Sequence, residues 1–299
     1  MSDLNLQEIH DFMVSVAKQA ADRITTAKPT TDTAGNKKNS VDLVTETDQA
    51  VEALISSQLR TAYPTFLFMG EETYKPSDTL TTSPTFILDP IDGTTNFVHR
   101  ASNVAISLGL AVDRTPVIGV IYNPFTRVLY TGIKGHGSFV ETPLNPGTKT
   151  KLPLKDPEPF EGGLGAALVC VEWGSTRTGN DFAVKSQTFA RLAADKRDGG
   201  AFVHGLRSFG SAALNLCEVA KGSADVYWEA GCWAWDVCAG WVILLEAGGK
   251  MVDANPGNWE PKVEGRRYLA VRAGEGQDGV IEEFWGHVQG RFEVSELGD

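Results

Sequence analysis

The sequence has little positive charge for its size. It holds 27 Lys and Arg against 38 Asp and Glu in 299 residues, which gives a formal net charge of -11. Long-range attraction to nucleic acid or to anionic lipid is therefore excluded as a main source of affinity. If a protein this acidic acts on an anionic substrate, it needs compensating cations close to that substrate.

Cysteine is scarce, and long apolar runs are absent. The four cysteines form no C-x-x-C pair and lie in otherwise apolar stretches, at Cys170, Cys217, Cys232 and Cys238. This spacing fits buried thiols in a reducing compartment and not a zinc site or a disulfide framework. The first residues lack the basic and apolar regions of a signal peptide, and no window approaches the ~18 apolar residues of a membrane helix. We therefore expect a soluble, cytoplasmic protein.

Several catalytic motifs are also missing from the sequence. It has no Walker motif, no Gly-x-Ser-x-Gly elbow and no His-Glu-x-x-His, and its five histidines are scattered. These absences argue against a P-loop nucleotidase, a serine hydrolase of the elbow type and a zinc protease.

Apolar spacing predicts alternating helices and strands. A repeat of three to four residues predicts an amphipathic helix over 6–24, and a second helix is expected to start after Asp48 as its N-cap. The runs 66–69 and 86–88 are predicted buried strands that end in acids, and three runs over 103–133 predict an antiparallel meander.

The second half of the chain continues the same alternation. Strands are predicted at 167–171, 224–228 and 268–271, and helices at 182–194, 211–220, 235–247 and 279–288. The segment 142–163 is rich in Pro, Gly and charge and is the best candidate boundary. We expect a layered α/β (α+β) protein with halves 1–150 and 151–299 that form one compact catalytic unit.

The strongest chemical signal is the segment 89–94, Asp-Pro-Ile-Asp-Gly-Thr. Its two aspartates follow a buried strand, Pro90 restricts the chain between them, and Gly93 permits a sharp turn. Such a turn can direct both carboxylates and the Ile91 carbonyl at one point, and hard oxygen ligands suit Mg²⁺. If a helix begins after Gly93, its free amides can hold a phosphate. Taken alone, a solvated Asp-rich turn explains the segment almost equally well.

Three other acids indicate a metal site only when they are considered together with this turn. Glu71 follows the strand at 66–69, Asp236 starts an apolar helix, and Asp48 precedes another. Separately, each has an ordinary interpretation as a surface acid or a helix cap. Carboxylates gathered in one cleft repel each other and need cations, and divalent metals that bridge phosphate and water provide Lewis-acid catalysis.

Five segments taken together resemble the inositol monophosphatase family of lithium-sensitive, magnesium-dependent phosphatases. They are 41–48, 70–72, 89–97, 205–213 and 235–240, and the resemblance covers nearly the whole chain. It implies a five-layered αβαβα sandwich, commonly a homodimer. It also implies hydrolysis of myo-inositol monophosphates by direct in-line attack of water, without a phosphoenzyme.

The resemblance also implies the roles of individual residues. Glu71, Asp89 and the Ile91 carbonyl would hold one Mg²⁺, and Asp89, Asp92 and Asp236 a second, with a weaker third ion near Glu71. The catalytic positions would be Asp48, Thr94 and Glu71, the first two orienting and deprotonating the attacking water. The positions implied to contact substrate are Ile91, Asp92, Gly93, Thr94, Gly210, Ser211, Ala212, Glu229 and Asp236. Lys38 matches a loop lysine near the metals, and Ser175 matches a residue that lines the cavity.

The chain departs from this pattern at Trp233, where animal members of the family typically have histidine. The local sequence Cys-Trp-Ala-Trp-Asp resembles fungal members, some of them associated with quinate utilisation. Trp233 either reshapes the rim of the pocket or packs under the start of a helix.

This departure bears on the choice of substrate more than on the chemistry. Fructose 1,6-bisphosphate, 3′-phosphoadenosine 5′-phosphate and a quinate-associated ester stay open as alternatives. A non-catalytic regulator that binds a phosphorylated ligand is a further alternative, but such a relative would lack a metal or water-activating position. None is missing here.

Overall fold

A computed structural model of the chain describes residues 4–28, 35–36 and 43–294. Within them the α-helices are α1 (Leu6–Thr26), α2 (Glu46–Ala62), α3 (Thr94–Val98), α4 (Gly179–Ala193), α5 (Ala212–Lys221), α6 (Ala234–Glu246) and α7 (Gln277–His287). The strands of the first half are β1 (Gly35–Asn36), β2 (Leu43–Val44), β3 (Leu67–Gly70), β4 (Thr85–Asp92), β5 (Ala105–Val112), β6 (Thr115–Asn123), β7 (Val128–Ile133), β8 (Gly137–Glu141) and β9 (Thr150–Lys151). Those of the second half are β10 (Leu168–Val171), β11 (Gly205–Arg207), β12 (Val226–Ala230), β13 (Lys250–Val252) and β14 (Arg267–Val271). None of the described helices is long and apolar enough to cross a membrane.

One predicted helix start was wrong. The N-cap of α2 is Thr45, and Asp48 lies inside the first turn. The Thr45 hydroxyl accepts hydrogen bonds from the amides of Thr47 (3.2 Å) and Asp48 (3.4 Å). The Asp48 carboxylate accepts in return from the Thr45 amide, at 3.0 Å. This reciprocal capping box satisfies more of the free amides at the helix end than an aspartate N-cap alone, which explains the earlier start.

Two sheets divide the strands by their order along the chain. The first sheet has the order β3-β4-β5-β6-β7-β8-β9 and is antiparallel except for the parallel pair β3 and β4. The predicted meander is confirmed as β5, β6 and β7. The second sheet has the order β11-β10-β12-β14-β13, with β10, β11 and β12 parallel and β14 antiparallel to both of its neighbours.

Helices cover both faces of each sheet. One apolar core lies between the first sheet and α1 with α2, and includes Met13, Ile55 and Leu88. A second core lies between the two sheets around α5 and α6, and a third joins the second sheet to α4 and α7. The expected five-layered αβαβα sandwich is thus confirmed, and β4 is buried along its whole length because both of its faces are covered.

Three paired glycines let α6 approach the first sheet closely. Gly109, Gly119 and Gly132 are directly opposite one another on β5, β6 and β7. A Cβ on Gly119 would lie 2.1 Å from the carbonyl oxygen of Ala239, and one on Gly109 would lie 2.6 Å from the sulfur of Cys238. These residues form a glycine groove, and the backbone of α6 lies in it.

Gly119→Ala is therefore expected to lower the free energy of unfolding by about 3 kcal/mol, because the added methyl group meets backbone that cannot turn away. Gly279→Ala in α7 is the matched control. A Cβ there meets nothing within 4 Å, so that change should be neutral or slightly stabilising. Urea unfolding of both variants measures the difference. Equal stability of Gly119→Ala and the unmodified protein would refute the close contact.

Candidate metal centre

Three carboxylates meet where β4 ends and α6 begins. Asp89 and Asp92 belong to β4, and Asp236 lies in the first turn of α6. One oxygen from each lies within 4.8 Å of the others. Asp89 and Asp92 are buried, and Asp236 is half-buried. The pairing of β4 with β5 shifts register between Asp89 and Asp92, so the turn interrupts the ladder where these side chains converge.

Backbone and hydroxyl groups fix the orientation of these carboxylates. Oδ2 of Asp92 accepts from the Ser211 hydroxyl at 2.5 Å and from the Ala213 amide at 2.8 Å. Oδ2 of Asp236 accepts from the Trp233 amide at 2.6 Å. In both residues these bonds are made to Oδ2 and not to Oδ1. The side-chain hydroxyl of Ser211 is therefore used in its hydrogen bond to Asp92.

Burial and mutual repulsion dominate the electrostatics of the cluster. Burial raises the pKa of Asp89 well above its usual range, and the charges of Glu71, Asp92 and Asp236 raise it further. Burial also raises the pKa of Asp92 to about 7, although its bonds from Ser211 and Ala213 oppose the shift. The pKa of Asp236 is raised for the same reasons, burial first and then Asp92 and Glu71. Such a cluster of hard oxygen donors favours a divalent cation.

Glu71 joins the cluster from the end of β3. Its amide donates to the carbonyl of Leu88 on the neighbouring strand, at 3.1 Å. Its carboxyl group lies within hydrogen-bonding reach of Asp89. The parallel pairing of β3 with β4 places both acids at the same sheet edge, as expected for the ends of parallel strands.

A second group lies beside the carboxylates. The Thr94 hydroxyl has Oδ1 of Asp48 at 3.2 Å and the carbonyl of Ile91 at 3.1 Å, and its single proton serves one of them at a time. Asp48 is buried, which raises its pKa, against the lowering effect of its hydrogen bond from Thr45. Gly93 joins β4 to α3 with φ of +91°, and a Cβ there would lie 2.7 Å from the carbonyl oxygen of Asn103.

The loop before α5 is held against this site by two side chains. The side-chain amide of Asn96 donates to the carbonyl oxygens of Phe209 (2.7 Å) and Asn103 (2.8 Å). Glu172 accepts from the amides of Phe209 (2.6 Å) and Gly210 (2.8 Å). These bonds fix residues 209–210, directly before Ser211 and Ala212.

Glu172 did not emerge from the sequence. It follows the buried strand β10 directly, and this is the same signal that drew attention to Glu71. An acid at a strand end therefore marks either a ligand or a loop anchor, and the sequence does not distinguish the two.

Glu229 lies on β12 and is buried. Its charge contributes to the raised pKa of both Asp92 and Asp236. Ser175 is half-buried on the loop after β10. It follows Gly174, where a Cβ would lie 3.7 Å from Oε1 of Glu229. Lys38 lies outside the described residues.

Trp233 lies in an aromatic stack at the start of α6. Its ring is nearly parallel to that of Trp235, with centroids 5.1 Å apart and an interplanar angle of 13°. The guanidinium carbon of Arg266 lies 3.8 Å from the centroid of the Trp233 ring, and the ring of Tyr74 lies 5.2 Å away. Trp233 is half-exposed, so it both packs against the helix start and presents a surface beside Asp236.

The chain is similar to several known proteins. Residues 5–289 match the model of a family described as the inositol monophosphatase family. Inositol monophosphatase 2 of Saccharomyces cerevisiae is 47% identical over 266 residues, which cover 86% of each chain. The quinic acid degradation cluster protein x of Neurospora crassa is 39% identical, over 95% of this chain and 94% of its own. An inositol monophosphatase structure from Anabaena superposes with a TM-score of 0.74 at 28% identity, over 96% of this chain and 98% of the other.

Proposed function

The chain belongs to the inositol monophosphatase family, and from this premise we propose that it hydrolyses myo-inositol monophosphates to inositol and phosphate. The observation that carries the proposal is the position of two groups side by side. One oxygen each from Asp89, Asp92 and Asp236 lies within 4.8 Å of the others. Thr94, just after Asp92 in the chain, donates a hydrogen bond to Asp48 of α2 beside them. The first group suits a cation and the second suits a water molecule.

The donor set fits Mg²⁺, since it consists of carboxylate oxygens with a backbone carbonyl beside them. Glu71, Asp89, Asp92 and Asp236 would hold the ions, together with the carbonyl of Ile91. When bound, Mg²⁺ supplies Lewis-acid polarisation of the phosphate oxygens and a lowered pKa for water.

The protein's own side chains orient the attacking water and accept its proton. A water oxygen forms the new bond to phosphorus while the bond from phosphorus to the ester oxygen breaks on the opposite side. Thr94 orients this water. The proton that the water loses passes to Asp48, whose raised pKa suits a general base. The departing oxygen takes a proton from solvent. The backbone of Gly93 and Thr94 would contact the phosphate, and Glu229 with residues 210–212 would contact the hydroxyl groups of the polyol.

Water as the nucleophile is consistent with the state of the thiols. All four cysteines are buried. Burial raises the pKa of Cys170 and of Cys238 to about 12, which keeps both protonated at neutral pH. A thiolate that attacks phosphorus is therefore not favoured.

The proposal extends to features that family resemblance supports. They are Mg²⁺ as the metal with two or three ions per site, inhibition by lithium, a cytoplasmic location and a homodimer. The two halves 1–150 and 151–299 would work as one catalytic unit, because Asp236 comes from the second half. Sedimentation of the purified protein measures its oligomeric state.

Phosphate release from inositol 1-phosphate is the direct test. With Mg²⁺ we expect saturable turnover, and with EDTA we expect loss of at least about 99% of it, because the carboxylates have no other cation to replace the metal. The panel includes fructose 1,6-bisphosphate, 3′-phosphoadenosine 5′-phosphate and phosphorylated quinate-pathway compounds. A preparation that binds Mg²⁺ but releases no phosphate from inositol 1-phosphate contradicts the proposal. The similarity to the quinate-cluster protein makes a quinate-related ester the second candidate.

A further inference from the structure

A buried lysine, Lys185, lies close to Gly174, as Glu229 does. Lys185 belongs to α4 and is 2% exposed. Its ammonium donates to the carbonyl oxygens of Trp173 (2.9 Å) and Ala230 (2.8 Å). A buried ammonium is costly unless an opposite charge compensates it, and carbonyl groups provide only part of that compensation. The compensating charge should therefore lie nearby.

Glu229 is the carboxylate with the largest effect on this lysine. Burial lowers the pKa of Lys185, and the charge of Glu229 is the strongest influence in the opposite direction. In return, Lys185 is the charge that most opposes the burial-driven rise in the pKa of Glu229. Both groups face the bare Cα of Gly174. A Cβ there would lie 3.2 Å from the Lys185 ammonium and 3.7 Å from Oε1 of Glu229.

Tyr227 fixes the other oxygen of Glu229. Its hydroxyl donates to Oε2 at 2.5 Å, and the whole residue is buried. The two residues are two apart on β12, so their side chains share one face of the sheet. Oε2 is thereby occupied, and Oε1 is the oxygen that lies towards Gly174, next to which the Lys185 ammonium also lies.

We propose that Lys185 and Tyr227 are positioning residues that hold Glu229 ionised and in one orientation, as the acceptor for a hydroxyl group of the substrate's polyol. This inference rests on the proposed function, since it concerns the part of the substrate away from phosphorus. It makes the pair a determinant of specificity for polyol phosphates over phosphate esters without hydroxyl groups. Hydrogen bonds to charged acceptors are the stronger ones, so an ionised Glu229 discriminates more than a neutral one.

The test compares inositol 1-phosphate with p-nitrophenyl phosphate, whose alcohol part has no further hydroxyl. In Lys185→Met we expect KM for inositol 1-phosphate to rise about tenfold, with kcat within about threefold, because a ground-state contact is weakened. The ratio of kcat/KM for inositol 1-phosphate to that for p-nitrophenyl phosphate should fall by about the same factor. Lys250→Met is the matched control, since Lys250 pairs with Asp278 at the surface. It should leave the ratio unchanged.

A double-mutant cycle separates positioning from a general structural role. If Lys185 acts through Glu229, then Lys185→Met should lower the ratio no further in a Glu229→Gln background. An equal loss in both backgrounds overturns the proposal, as does an unchanged ratio in Lys185→Met. Tyr227→Phe removes only a buried hydroxyl, so it replaces Lys185→Met in this test if Lys185→Met does not fold. A lower ratio of the two kcat/KM values in Tyr227→Phe is then the expected result, and an unchanged ratio overturns the proposal. If the proposed function itself is wrong, the unmodified protein releases no phosphate from inositol 1-phosphate. That result overturns both the proposed function and this inference, and it is distinct from a change in a variant alone.

Discussion

Replacing Asp89 with asparagine is expected to lower kcat/KM by at least about a thousandfold, because this carboxylate is a proposed ligand of two ions. The same change should make the metal-free protein more stable. Asp89 is buried among Glu71, Asp92 and Asp236, whose charges repel its own. A neutral amide of the same shape removes that repulsion, so the apparent Tm without metal should rise.

Thermal unfolding with and without Mg²⁺ tests both effects at once. A cation that binds only the folded protein raises Tm, and we expect this rise in the unmodified protein but not in Asp89→Asn. Asp156→Asn is a suitable control, since Asp156 is exposed on the loop between the two sheets. It should keep both the activity and the Mg²⁺-dependent rise in Tm. An unchanged metal response in Asp89→Asn would remove Asp89 from the site.

Thr94→Ala is expected to lower kcat by about 100- to 1000-fold while KM changes by less than about threefold. The hydroxyl of Thr94 lies within hydrogen-bonding distance of Asp48 and of the Ile91 carbonyl, so its loss leaves the attacking water without orientation. The proposed metal ligands are unchanged in this variant, which is why substrate binding should persist. Steady-state kinetics with inositol 1-phosphate measures both constants.

Two further variants sharpen this result. Thr94→Ser keeps the hydroxyl and should recover most of the activity. Thr95→Ala removes the hydroxyl of the next residue, which is exposed in the same short helix, and should have little effect on kcat. A rise in KM at constant kcat in Thr94→Ala would assign Thr94 to substrate binding instead of water activation.

The turn that contains Asp89 and Asp92 was accessible to sequence analysis because its signals are local. A buried strand, a proline, a glycine and two acids occur within a few residues, and each has a known effect on the backbone. Asp236 was different. A first-turn aspartate is an ordinary helix feature, and nothing local shows that α6 lies across the end of β4. Only the combined motifs of the family linked the two.

The helix start at Thr45 and the lysine at 185 show two other limits. Thr45 and Asp48 are both good capping residues, and the choice between them depends on which arrangement satisfies more amides. Lys185 occupies the buried face of α4 with Val184 and Leu192, where apolar periodicity predicts an apolar side chain. Its ammonium is held by carbonyl groups of Trp173 and Ala230, which lie outside α4, so no pattern within α4 predicts its burial.

The glycine groove has a consequence for the order in which the protein acquires its metal during synthesis. Asp89 and Asp92 leave the ribosome early, with the first sheet, but Asp236 follows only with α6, late in the chain. The proposed metal site is complete only when α6 packs into the groove of Gly109, Gly119 and Gly132. Because domains of this kind fold as units and metal binding is coupled to folding, a nascent chain that ends before α6 should hold Mg²⁺ poorly. Metal binding thus reports that the two halves of a newly made chain have joined.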